Sequence, residues 1–179
     1  MKYSGPQITN LLRENLQVDI GRHLYAVLGT YAQLAAFEKI DLPQVYLTDN
    51  QPFPPAVNLN RALLDRLGDE DAKELARNEG KRPKAVQKRL SVEFDALLAS
   101  LLSQCRYLAV KQIEMLFAFE LPLETFRARA VNQNHILLLL PGEKRGNHVL
   151  LFSEADSQFH RILPDQLITD NHIWELDNA

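Results

Sequence analysis

The chain has 179 residues, of which 46% are hydrophobic and 24% charged, a length at which roughly two thirds of the unfolded surface can be buried in one core. With 20 basic against 23 acidic residues, it is not a uniformly basic or acidic molecule, so any attraction to nucleic acid or an anionic surface must be local. The single cysteine, Cys105, excludes a disulfide framework or a cysteine-built zinc site within one chain and fits a reducing compartment.

The opening Met1-Lys2-Tyr3-Ser4-Gly5-Pro6 lacks the apolar stretch of a secretory signal, and the longest apolar runs are interrupted by charge before about 18 residues. A cytoplasmic protein with no membrane partner is expected. Pro6 suits a first helical position, and Ile8, Leu11, Leu12 and Leu16 share one helical face behind it. From Gly21 to Lys39, residues Leu24, Val27, Leu28, Tyr31, Leu34, Ala35 and Phe37 recur at helical spacing and predict a second helix, ending before Asp41-Leu42-Pro43. Val45 to Thr48 is strand-like, but Pro52, Pro54 and Pro55 make the segment read as a stiffened, extended connection, the best internal linker.

Asn58 or Asn60 can cap a helix that runs through Leu67 and stops at Gly68, and Asp69 begins another with Glu70 and Asp71 in its first turn, where acids suit the helix dipole. Gly80 closes it. Pro83 then opens the longest periodic stretch, Val86, Leu90, Phe94, Leu97, Leu101, Cys105, Leu108 and Leu116, read as one long helix. If continuous to Phe119 it spans about 50 Å, enough to kink or project. Cys105 falls on its apolar stripe as an inert core thiol.

After Pro122 the pattern alternates: Phe126 to Val131, Ile136 to Leu140, and Val149 to Phe152 read as strands, with Pro141, Gly142, Gly146 and Asn147 in a hairpin loop between the second and third. Phe159 to Leu163 and Ile173 to Leu176 extend this meander, with Trp174 anchoring the last strand to the core. The fold class that follows is α+β: an N-terminal layer of four to five helices and a C-terminal four-stranded antiparallel meander packed on the long helix. Residues 1–179 form a single domain, with a helical part at 1–121 and a sheet part at 122–179.

The chain contains no Rossmann glycine fingerprint, phosphate loop, HExxH, calcium loop or nucleophile elbow, and neither a cofactor nor a metal is assigned. Gly142-Glu143-Lys144-Arg145-Gly146 has phosphate-binding residue types, but its spacing and place between two strands suit a solvated hairpin tip. The sharpest charge feature is Lys81, Arg82, Lys84, Lys88 and Arg89, five cations without an acid. They could meet phosphates, or oppose the acidic helix from Asp69 to Glu79 as a surface lattice. Arg127 and Arg129 would project from one strand face about 7 Å apart and extend a nucleic-acid path. His135, His148, His160 and His172 crowd the C-terminal part near Glu154, Asp156 and Asp170, with Asp156 and His160 the pair to test for metal chemistry.

The last 34 residues hold one cation, Arg161, against six acids, while residues 81–145 hold eleven cations against six acids. That asymmetry suits self-association or docking. The expectation is a non-enzymatic binding or assembly protein, a subunit or accessory factor of a larger complex, with a protein partner or a second copy. One alternative is nucleic-acid binding through Lys81 to Arg89. Another is a metal-assisted hydrolase built on His148, His160, Asp156 or Glu154.

Overall fold

The computed structural model describes residues 2–47 and 50–177, apart from the side chain of Glu70. Among them, eight strands form one mostly parallel sheet with seven α-helices around it. This is an α/β architecture and overturns the α+β class with its four-stranded antiparallel meander.

The strands are β1 (Lys2–Tyr3), β2 (Leu24–Gly29), β3 (Val57–Asn58), β4 (Tyr107–Lys111), β5 (His135–Arg145), β6 (His148–Leu151), β7 (Arg161–Ile162) and β8 (Ile173–Leu176). The helices are α1 (Gly5–Leu16), α2 (Tyr31–Ala36), α3 (Leu59–Leu67), α4 (Asp69–Asn78), α5 (Pro83–Gln104), α6 (Glu114–Ala118) and α7 (Glu124–Arg129). A π-helical turn, Phe37–Asp41, and a 3-10 turn, Leu42–Gln44, prolong α2.

The parallel strands lie in the order β1-β8-β2-β5-β4-β3. Only the far end of β5 is antiparallel, where Gly142 to Arg145 pair with β6 and β6 pairs in turn with β7. A Cβ on Gly142 would overlap the carbonyl oxygen of Leu150, so this position needs glycine for the two backbones to approach.

Helices cover both faces, which is why the central strands are apolar without alternation. Along β5, Ile136, Leu138 and Leu140 join one core cluster, with Leu59, Leu63, Leu90, Phe94 and Phe126 from α3, α5 and α7. Leu137 and Leu139 join the other, with Ile8, Leu12, Leu34 and Phe37 from α1, α2 and the π turn. Burying each such side chain favours folding by about 1.5–3 kcal/mol.

The proline-rich stretch is held to the core by Val45, Leu47 and Phe53, all buried in the second cluster. It is an integrated part of the core in place of a linker. Thr48, part of the strand-like stretch noted above, lies outside the described residues.

Several elements differ from the expected ones for identifiable reasons. The run from Gly21 to Lys39 is β2 followed by α2, because Leu24–Gly29 is buried on both sides between β8 and β5, and a two-sided apolar run coincides with helical spacing. The supposed 83–119 helix ends at Gln104 and is followed by β4 and α6; Cys105 is the half-buried residue at that helix end. The expected strand at Phe126–Val131 falls instead largely on α7, whose buried Phe126 lies four residues before the buried C-cap Ala130; the ring of Phe126 meets that of Phe94 edge-on at 5.2 Å. The hairpin loop contracts to Gly146 and Asn147, and β8 pairs in parallel with β1 and β2, outside any meander.

Caps follow the sequence more closely. Asn58 accepts from the Arg61 N–H at the start of α3, and Gly68, with φ of 76°, closes it.

Candidate functional site

In a parallel sheet wound with helices on both faces, ligands gather at the carboxyl ends of strands where the chain leaves to opposite sides. Here α2, after β2, packs through Leu34 into one cluster, while α6, after β4, packs through Leu116 into the other. Strand β5 lies between β2 and β4. A small cavity of about 140 Å³ opens there, lined by Tyr31, Glu38, Lys111, Glu114, Leu139 and Pro141 among others. Beside it is a more apolar groove of about 270 Å³ lined by Tyr31, Glu114, Phe117, Phe152, Phe159 and Arg161. Tyr31 and Glu114 border both.

Each polar group at this edge is positioned by a specific local contact. Thr30 caps α2 by accepting from the Gln33 N–H at 3.1 Å, while its own N–H donates to Gln33 Oε1 at 2.8 Å; this is a capping box closed by glutamine. The Tyr31 N–H donates to Glu154 Oε2 at 2.7 Å, placing a carboxylate at the positive end of the helix. Glu114 accepts from Asn60 Nδ2 at 2.8 Å and, through its other oxygen, from the Tyr31 hydroxyl at 3.5 Å. Burial, reinforced by the charge and hydrogen bond of Glu114 and then the charge of Glu154, raises the Tyr31 pKa. Lys111 Nζ donates to both oxygens of Glu38 at 2.7 Å. Between Lys111 and α6 the chain turns through Gln112 at φ of 55°, and Asn58 Nδ2 donates to the Gln112 side chain.

The opposite, amino edge of the sheet holds a second polar cluster. His23 and His135 are 3% and 1% exposed, and their rings stack at 4.3 Å. The Tyr25 hydroxyl lies 3.1 Å from His23 Nδ1 and 3.4 Å from His135 Nδ1, and the His172 ring lies 4.8 Å from that of Tyr25. His23 Nε2 is buried without a hydrogen-bond partner. Burial, then His23 and Arg106, lower the His135 pKa to about 4. Burial, then His172, lower that of His23 against a smaller opposing effect of Asp19. Burial also lowers that of His172. All three shifts favour the neutral ring, which supplies one N–H and one acceptor.

The C-terminal histidines do not assemble into one site. His148 faces Asp165 at 3.4 Å, His160 Nε2 lies 3.0 Å from the Ala155 carbonyl oxygen, and His135 and His172 join the Tyr25 cluster. Asp156 and His160 flank one short 3-10 turn. No group of three or more His, Cys, Asp or Glu among the described residues could hold a metal ion. Glu154 bonds the start of α2 instead.

Lys81 and Arg82 occupy the turn before α5, Lys84 and Lys88 are one turn apart on it, and all four are exposed. Arg89 is ion-paired with Asp71 of α4. A cavity beside Lys84 also carries Glu79 and Glu120. On α7, Arg129 is held by both oxygens of Asp95 at 2.7 and 2.9 Å, and Arg127 is half-buried. Two residues apart on a helix, these arginines point in different directions rather than along one strand face. Arg145, at the hairpin tip, pairs with Glu143 at 2.7 Å.

The edge residues Tyr31, Glu114 and Phe117 escaped the sequence reading because they lay inside segments read as continuous helix. The available signal was Gly29-Thr30-Tyr31 with Gln33, a glycine turn and a capping box in the middle of a supposed helix. No described helix is long and apolar enough to cross a membrane. Compared with known proteins, the chain matches no family model, no curated protein and no solved structure.

Proposed function

We propose that the chain is a non-enzymatic binding or assembly protein, a subunit or accessory factor of a larger complex, and that the aromatic groove at the carboxyl edge receives its protein partner. The observation that carries this reading is the groove itself. It lies where wound parallel sheets bind ligands, its wall is built from Tyr31, Phe117, Phe152 and Phe159, and Tyr31, Phe159 and neighbouring Ile162 are 46%, 54% and 59% exposed. Aromatic side chains of this kind are the usual anchors of protein interfaces. Two nearby features that could hold phosphate are engaged within the chain, Lys111 by Glu38 and the start of α2 by Glu154.

A second reading, nucleic-acid binding, rests on Lys81, Arg82, Lys84 and Lys88, exposed cations grouped at one corner without an ion pair among the described residues. Arg89, Arg127 and Arg129 would flank that path, though Arg89 and Arg129 already neutralise Asp71 and Asp95. Four free cations would make binding fall steeply with salt.

The two readings separate in one experiment. Tagged wild type, Phe159→Ser and the Lys84→Gln/Lys88→Gln double variant are used to capture partners from native lysate, each with and without nuclease. The assembly reading expects stoichiometric protein that survives nuclease and is lost with Phe159→Ser alone. Material lost on nuclease treatment and in the lysine variant replaces it with the nucleic-acid reading.

A further inference from the structure

We infer that the carboxyl-edge groove binds a basic side chain, arginine or lysine, presented by an extended segment of a partner polypeptide, its stem against Phe117, Phe152 and Phe159 and its charged head between Glu114 and Glu154. The inference rests on the reading of this groove as a docking surface and specifies what docks.

Charge complementarity selects a cation. Glu114 and Glu154 both approach Tyr31, one at its hydroxyl and the other at its N–H, and neither has an ion-pair partner among the described residues, whereas neighbouring Glu38 and Glu143 do. Arg161, the one cation on the groove wall, donates Nη1 to the carbonyls of Gln158 and His160 at 3.0 and 2.7 Å. Glu114 lines the groove and Glu154, between the groove residues Phe152 and Ala155 in the chain, lines the adjoining cavity, so two carboxylates stand around one guanidinium and leave an excess of negative charge. Ring faces attract cations as well, and more strongly as water is excluded. Phe117 and Phe152 meet edge to face at 5.5 Å, so their relative orientation is fixed before a ligand arrives. Asn60 likewise holds Glu114 in place, which reduces the ordering cost of binding.

The surroundings favour a polypeptide over a small organic cation. Beyond Arg161 of the groove wall, β7 continues to Ile162, which is 59% exposed with its side chain on the opposite face of the strand. The Leu163 N–H donates to the Val149 carbonyl at 3.0 Å, so in an antiparallel ladder the preceding residue, Ile162, turns its N–H and C=O away from β6. Strand β7 pairs only with β6 among the described strands. An extended segment can therefore take one pair of main-chain hydrogen bonds at Ile162 while the side chain of an adjacent residue, on the Arg161 face, enters the groove.

The test uses the full chain and fluorescently labelled peptides of alternating leucine and alanine with a central arginine, citrulline or glutamate, read by anisotropy at low salt; arginine amide serves as a small-cation competitor. Binding of the arginine peptide is expected to exceed that of the neutral citrulline peptide by about tenfold, the equivalent of about 1.4 kcal/mol. Glu114→Gln and Glu154→Gln should each cut arginine-peptide affinity by several fold and leave the citrulline peptide unchanged, while Lys88→Gln changes neither. Thermal melts identify any loss of folding, and Phe159→Ala, at an exposed position, gives a second readout by weakening both peptides. Equal affinity for arginine and citrulline overturns the inference, as does an arginine peptide that does not bind, or full competition by arginine amide at the peptide's own concentration. If the peptides bind equally but Phe159→Ala weakens both, the cation is refuted while the groove still docks apolar segments. If partner capture is also insensitive to Phe159→Ser, the assembly reading falls with it.

Discussion

The buried histidines couple folding to protons in a direction fixed by their surroundings. His135 has a folded pKa of about 4 against the ordinary histidine value of about 6.5, so between these values the unfolded chain binds more protons and folding weakens as pH falls. Stability is intact above about pH 6.5 and declines below it, by about 2 kcal/mol for this one group between pH 7 and pH 5. His23 and His172, also lowered, act in the same direction. Urea midpoints at pH 7 and pH 5 measure the loss. His135→Phe retains a ring to stack on His23 and Tyr107 but cannot be protonated, so its midpoint should vary less between the two pH values. An equal pH dependence in that variant would locate the protons elsewhere. Nothing in the sequence announced this cluster, because His23, Tyr25, His135 and His172 are brought together only by the pairing of β2 with β5 and β8.

Elements were legible where local chemistry alone decides them. Pro6 opens α1, Asn58 and Gly68 bound α3, Gly80 follows α4 and Pro83 opens α5; each is a proline, cap or glycine whose preference acts within a few residues. They were illegible where tertiary burial decides. Leu24–Gly29 and Tyr107–Lys111 each bury both faces, and an apolar run with no polar face has no period to distinguish strand from helix. The alternation across Phe126–Val131 misled for the opposite reason: six residues contain three repeats of two and fewer than two turns of helix. The Tyr31 groove was hidden by the same errors, since Tyr31 and Phe117 follow strands whose sequences suggest helix. Leu137 allows the corrected β5 to be tested as an element. It is fully buried, facing α1 and α2 across the sheet from Leu138. Leu137→Ala and Leu138→Ala should therefore each cost about 2–5 kcal/mol by denaturant unfolding. A strand with one solvated face would give that cost at only one of the two positions.

The topology makes the whole molecule depend on joining distant parts of the chain. Strand β8 sits between β1 and β2, with Ala26 beside Ile173, Val27 beside Trp174 and Lys2 beside Glu175. Lys2 Nζ also lies 3.3 Å from the buried Glu175 carboxylate. These pairings close nearly the full length of the chain, so their entropic cost must be met before β2 is covered on that side. An antiparallel meander would instead have been a local unit, removable with limited effect on the helices before it. Ending the chain after His172 distinguishes the two arrangements: it deletes Trp174 and Leu176 from the core around α1 and α2, leaves β2 with an unpaired edge, and strands β1. The expected outcome is loss of the cooperative melting transition by circular dichroism, together with loss of near-ultraviolet signal throughout the chain. Retention of a sharp transition at an unchanged temperature would mean that β8 is peripheral, contrary to its buried place between β1 and β2.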